Sequence, residues 1–288
     1  MKPVQRIHHS SAMHWVGNGF PVRSVFDYNG LGQALSPFLL LDYAAPHQFS
    51  PGRGKRGVGA HPHKGFETVT IAYQGELEHR DSSGGGGKIG PGDVQWMTAG
   101  KGIIHEEFHS ADFTRQGGEL QMVQLWVNLR AKDKSAPARY QTLLKADIPS
   151  VALPENAGSV RVIAGEFEGH AGPAKTFSPI QLWDVTLGAG KTVALPVPEG
   201  HTAAFLLLAG EVIVNEEGKA REGDLVIFER EGHHFTVHAQ AEAQFLVMTG
   251  EPLNEPVVGH GPFVMNTMQE IEQAFEEFEQ GLMGDLRR

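Results

Sequence analysis

An internal repeat constrains this chain more than any other feature. From about residue 59 it breaks into short apolar or alternating runs punctuated by glycine turns, the signature of strands in a sandwich or barrel. Phe66–Tyr73 (FETVTIAY) runs into a Gln74-Gly75 turn, and Glu76–Arg80 returns. A glycine-rich hairpin tip (Ser82–Gly87) follows, and Pro91-Gly92-Asp93 then turns into Val94–Met97. The same order recurs later. Ala204–Leu208 leads to Ala209-Gly210, Glu211–Asn215 returns, and Glu222-Gly223-Asp224 turns into Leu225–Phe228. Gly75-Glu76 thus matches Gly210-Glu211, and Gly92-Asp93 matches Gly223-Asp224. Two copies of one β unit explain this better than one large sandwich.

The expected architecture is all-β: two jelly-roll β-barrel domains with a C-terminal α-helix. Residues 1–135 are assigned to the first domain, 136–160 to a linker punctuated by Pro137, Pro149 and Pro154, and 161–265 to the second domain. Residues 266–288 are expected to form a helix docked on a barrel. Asn266 or Thr267 can cap it, with Gln269 or Glu270 completing a capping box. Ile271, Phe275, Phe278 and Leu282 fall at helical spacing and make its apolar stripe.

Composition removes several classes. The 288 residues include no cysteine, so there is no disulfide framework, thiolate site or cysteine nucleophile. The formal net charge is -10, which disfavours direct nucleic-acid binding. No apolar run approaches membrane-spanning length and the N-terminus lacks a signal-peptide core, so a cytoplasmic protein without membrane contact is expected. A monomer is expected too.

Chemistry concentrates in two short segments, His61-Pro62-His63 and His105-Glu106-Glu107. Residues i and i+2 of a strand point to one face, so each segment presents two ligands together. If both strands line one barrel interior, His61, His63, His105 and Glu107 converge on a point. Glu67, shortly after His63, is the rival carboxylate, with Glu107 preferred. Three imidazoles and a carboxylate suit Fe, Mn, Co, Ni, Cu or Zn. Four protein ligands around an octahedral ion would leave two positions open, which favours non-heme Fe(II). In the second repeat, counting from the matching turns puts Pro196 and Pro198 in place of His61 and His63, and Thr236 and His238 in place of His105 and Glu107. No second centre is expected there. His8, His9 and His14 have no common aim, and His79 and His109 are expected at the surface.

His61–Val69 (HPHKGFETV) and Gly90–Gly100 (GPGDVQWMTAG) continuing to His105 resemble the pirin family of the cupin superfamily. Pro37–Asp42 (PFLLLD) and Gln124–Leu129 (QLWVNL) fit it as well, so the resemblance is specific over about residues 35–130. It implies His61, His63, His105 and Glu107 as the metal ligands. Lys64 stands where the family often carries arginine and is expected at the pocket mouth. Asp42 and Gln124 are expected to support the ligands from behind.

The resemblance also implies an activity, the quercetin 2,3-dioxygenase reaction, in which dioxygen opens a flavonol ring and carbon monoxide is released. Glu107 would then take the substrate's hydroxyl proton as general base. Dioxygen and a small aromatic chelator would be the partners. The alternative it implies is a non-enzymatic, iron-dependent redox sensor that binds a transcription factor or a metabolic enzyme. A storage cupin or an isomerase on the same scaffold ranks below both.

Overall fold

A computed structural model describes residues 1–9 and 12–286. The chain forms two compact units, each a jelly-roll pair of antiparallel sheets. Among the described residues no helix is long and apolar enough to cross a membrane.

The first unit comprises Ala12–Ala34, Phe38–Lys145 and the segment from Leu253 onward. Its larger sheet runs in the order Arg139–Leu143, Val94–Thr98, Phe66–Gln74, Gly118–Asn128, Phe38–Phe49, Phe20–Phe26, Met13–Val16. The smaller sheet runs Gly57–His63, Ile103–His109, Leu77–Asp81, Gly86–Ile89. Phe66–Gln74 is buried almost throughout, as a central strand enclosed on both faces should be. Leu77–Asp81 alternates instead, with Leu77, His79 and Asp81 inside and Glu78 and Arg80 outside. An apolar cluster that includes Phe20, Phe49, Leu77, Ile89 and Leu120 fills one part of the interior.

The second unit repeats this order. Its larger sheet runs Val4–His9, Asp224–Phe228, Thr202–Ala209, Ala243–Gly250, Ile180–Leu187, Gly158–Ala164, Ser150–Ala152. The smaller one runs Thr192–Pro196, His234–Ala239, Glu211–Val214, Gly218–Arg221. Phe205, Phe228, Phe235, Phe245 and Trp183 fill this interior, with Phe228 and Phe235 stacked at 4.3 Å.

The units are not contiguous in sequence. The N-terminal strand Val4–His9, assigned from sequence to the first domain, is an edge strand of the second unit's large sheet. Residues 136–160 are not a plain linker. Arg139–Leu143 closes an edge of the first unit by pairing with Val94–Thr98, and Ser150–Ala152 is an edge of the second. The hairpin Val258–Met265, placed by sequence at the end of the second domain, belongs to the first unit. Edge strands make half the ladder bonds of a central one and carry little hydrophobic pattern, so local sequence does not reveal which sheet they join.

The C-terminal helix spans Met268–Glu279, with Thr267 at the N-cap and Glu270 completing the capping box. Ile271 and Ala274 are its buried residues, and Phe275 packs beside Phe263. The expected stripe holds only in its first half. Phe278 is 38% exposed, and Leu282 lies beyond the helix at 68% exposure.

Candidate metal centre

Strand register builds the site. In the small sheet of the first unit His105 pairs with His61 on one side and with Asp81 on the other. A bulge between His105 and Glu107 then brings Glu107 opposite Val58, while its other neighbour is His79. The centroids of the His61, His63 and His105 rings lie 4.3 to 4.9 Å apart. Each offers a ligand atom within 4.8 Å of the others. Glu107 falls within the same limit in a second group with His79 and His105.

The large sheet faces this cluster with a polar row. Ser24, Asp42, Gln124, Thr70 and Gln95 are cross-strand neighbours in register over five strands. Ser24 donates to Asp42 Oδ1 at 2.5 Å. Thr70 Oγ1 lies 2.5 Å from Gln124 Oε1 and accepts from Gln95 Nε2 at 3.0 Å. Gln95 Nε2 also donates to Glu107 Oε1, and Gln124 Nε2 reaches Glu107 Oε2 at 3.4 Å. Two amides from one sheet therefore hold the carboxylate delivered by the other.

Each histidine has its Nδ1 occupied. His61 Nδ1 is 2.8 Å from Gly59 O, and His63 Nδ1 is 3.3 Å from Pro262 O. His105 Nδ1 is 3.3 Å from His79 Nδ1. A ring that donates through Nδ1 keeps its Nε2 lone pair for a metal. His105 Nε2 is buried and has no hydrogen-bond partner, an arrangement that costs free energy unless something binds there. Burial, followed by the neighbouring imidazoles, pushes the pKa of His63 down to about 3 and that of His105 well below its usual value. Neutral imidazoles are what a metal requires, so the residues fit a divalent ion.

The other expected residues divide. Asp42 and Gln124 line the same cavity as His61, His63 and Glu107, and burial raises the Asp42 pKa. Glu67 does not reach the cluster. It is buried, accepts from Thr98 Oγ1 at 2.7 Å, and burial lifts its pKa to about 7. Lys64 is not at the mouth of this cavity; it is buried and paired with Glu277 of the C-terminal helix.

Gly65 follows Lys64 at φ +91°, and a Cβ there would meet Val264 O at 2.1 Å. Only glycine lets the Phe263–Met265 strand approach this closely.

Five residues of this environment are not anticipated from the sequence: Ser24, Thr70, Gln95, Asp81 and Tyr140. His79 and His109, expected at the surface, are 5% and 3% exposed. The signal for His79 and Asp81 was present. Leu77 must face inward, and alternation then carries residues 79 and 81 with it.

The cavity lined by Asp42, His61, His63, Thr70, Glu107 and Gln124 has a volume of about 220 Å³, and Phe20, Val22, Leu77, Met122 and Trp126 supply its apolar walls. A larger cavity of about 710 Å³ is lined by residues including Lys55, Glu78, Arg80, Glu106 and Phe108. His79 and His109 also line it, but His61, His63 and His105 do not.

In the second unit other residues stand in the places of the three histidines. Thr236 stands in the place of His105, and its cross-strand partner is Ala194, as His61 is that of His105. Ala194 and Pro196 are therefore the counterparts of His61 and His63. Counting back from Gly210 lands two residues late, because the connection before Thr202 is longer than the one before Phe66.

Comparison with known proteins finds two family domains along the chain. Residues 19–127 match the family described as Pirin, and residues 182–284 match the one described as Pirin C-terminal cupin domain. A Pseudomonas aeruginosa protein named "Putative quercetin 2,3-dioxygenase" is 58% identical over 281 residues, covering 98% of each chain. Human pirin is 36% identical over 256 residues, covering 85% of this chain and 81% of its own. The crystal structure of a quercetin 2,3-dioxygenase from Acinetobacter baumannii superposes with a TM-score of 0.97 at 53% identity, covering 99% of both chains.

Proposed function

The chain belongs to the pirin family, and on that footing we propose that it is a metal-dependent dioxygenase that opens the ring of a flavonol or a similar chelating aromatic. The observation that carries this reading is the convergence of three imidazoles, two of which line an apolar-walled cavity together with a hydrogen-bonded carboxylate. His61, His63 and His105 would hold the ion, with Glu107 as the fourth ligand. Iron(II) is our choice among the metals such donors accept, because the substrate class calls for dioxygen chemistry.

A divalent ion held there supplies Lewis acidity and a template for the substrate's oxygens. The protein's own groups do the rest. Glu107, oriented by Gln95 and Gln124, accepts the proton of the substrate's hydroxyl. Phe20, Val22, Leu77 and Met122 flank the ring and exclude water, which strengthens every polar contact inside. Trp126, whose ring lies 5.1 Å from that of His63, gives a flat wall for an aromatic substrate. At about 220 Å³ the cavity is smaller than the roughly 300–1,000 Å³ of drug-sized sites. It seats the chelating edge of a flavonol, with the remaining ring at the mouth.

The test is anaerobic purification, metal quantification, and flavonol absorbance followed together with carbon monoxide release. Metal-dependent carbon monoxide release by the wild type, absent in His105→Ala, is the expected result. Full metal loading without turnover of any flavonol would overturn the dioxygenase reading and leave the family's regulatory role as the alternative.

A further inference from the structure

His105 differs from the other two histidines in what holds it. His61 and His63 meet backbone carbonyls, whereas His105 Nδ1 meets the side chain of His79, 3.3 Å away. His79 Nε2 lies 3.0 Å from Asp81 Oδ2. All three side chains are nearly or fully buried. The Tyr140 ring stacks on His79 at 4.7 Å with an interplanar angle of 17°, which fixes its plane.

The geometry points to Asp81 and His79 as positioning residues that set the tautomer of His105 and so present its Nε2 lone pair to the metal. Two facing Nδ1 atoms can share only one proton, so one ring donates and the other accepts. Asp81 decides which. Its Oδ1 already accepts from Ser83 N, Ser83 Oγ and Gly85 N at 2.9, 2.6 and 3.0 Å, and Oδ2 is left for His79. A carboxylate only accepts, so His79 carries its proton on Nε2 and its Nδ1 is an acceptor. His105 must then place its proton on Nδ1. Its Nε2, the atom without a hydrogen-bond partner, is left deprotonated toward His61 and His63. A carboxylate behind a ligating imidazole also raises its basicity, here relayed through a second ring.

This inference rests on the metal site proposed above, and its test separates the two. Co(II) affinity is measured by chelator competition on the full chain, and the ring tautomers of the metal-free protein are read from long-range ¹H–¹⁵N correlations. In Asp81→Asn the donors on Oδ1 keep the amide oxygen in place, so the amide nitrogen donates to His79 Nε2. Both rings then switch, and His105 carries its proton on Nε2.

The expected result is an Nδ1–H His105 in the wild type and an Nε2–H His105 in Asp81→Asn. Co(II) affinity falls about 10–100-fold in Asp81→Asn and in His79→Leu. His79→Gln, which retains an acceptor for His105 and a donor for Asp81, recovers part of it. Unchanged tautomers and unchanged Co(II) affinity in Asp81→Asn would overturn the inference even if His79→Leu fails to fold. Failure of the wild type to bind Co(II) would overturn the metal site itself, and this inference with it, before any substitution is made.

Discussion

His61 and His105 stand directly opposite each other across the antiparallel pair Gly57–His63 and Ile103–His109, with ring centroids 4.3 Å apart. His63 lies within 4.9 Å of both and is buried, so a proton on its ring would meet two crowded neighbours and little water. Burial therefore favours the neutral form of His63, at a cost that depends on pH.

That cost predicts acid sensitivity of the metal-free protein. Burial first, then the charge of His61, pushes the His63 pKa from 6.5 down to about 3. The unfolded chain binds this proton below pH 6.5 and the folded chain does not, so stability rises with pH across the interval. The contribution is complete above 6.5 and is lost as pH falls toward 3. Urea midpoints measured from pH 7 to pH 4 should fall in the wild type. The fall should be shallower in His63→Phe, and equal slopes would contradict the assignment.

Glu107 should separate binding from chemistry. Three imidazoles remain in Glu107→Gln, so most of the metal should be retained while the proton acceptor is lost. General-base catalysis contributes about 10²–10⁴-fold, and kcat for flavonol cleavage should fall by that order. Metal content and turnover measured on the same sample decide it, and parallel loss of both would make Glu107 a ligand alone.

How far the sequence could be read depended on the range of the signal. Period-2 geometry alone grouped 61/63 with 105/107; in the structure His61, His63 and His105 lie together, and Glu107 groups with His79 and His105. Glu67, the rival carboxylate, is turned to Thr98. Of the polar row only Asp42 and Gln124 were anticipated; Ser24, Thr70 and Gln95 join it only once five strands are in register. The place of Val4–His9 was hidden for the same reason: its partner, Asp224–Phe228, lies more than two hundred residues on.

The second unit should contribute no metal. Ala194, Pro196 and Thr236 occupy the places of His61, His63 and His105, and the interior is filled by phenylalanines. Replacing His201 and His238 together by alanine should leave metal content unchanged, whereas His61→Ala with His63→Ala should abolish it. Elemental analysis of the two double variants is sufficient.

Lys134 is predicted to be a costly but necessary cation. It is 3% exposed and donates to Gly65 O, Asn128 Oδ1 and Val264 O at 2.7 to 2.9 Å. Burial pushes its pKa from 10.5 down to about 7. Between those values the unfolded chain binds the extra proton, so this group makes stability rise with pH from 7 toward 10.5. Lys134→Met removes that slope but leaves three buried acceptors unmet, at about 1–3 kcal/mol for each. The acceptors outweigh the relief of burial, and a net loss of about 2–4 kcal/mol at pH 7 is expected. Denaturant titrations at pH 7 and pH 9 measure both effects.

The C-terminal helix should be held by its first half. Ile271 is 1% exposed, and Ala274 is fully buried beside it. Ile271→Ala should cost about 2–5 kcal/mol, the usual range for emptying such a site. Leu282 shares the same spacing in sequence but is 68% exposed, so Leu282→Ala should stay within about 0.5 kcal/mol. Thr267→Ala removes the bond to Glu270 N at 3.2 Å and should cost about 1 kcal/mol. The same helix supplies Glu277 to Lys64, the neighbour of His63. Ile271→Ala should therefore also weaken Co(II) binding, and Leu282→Ala should not. Equal effects of the two substitutions on metal affinity would show that the helix only covers the unit without bracing the His61–His63 strand.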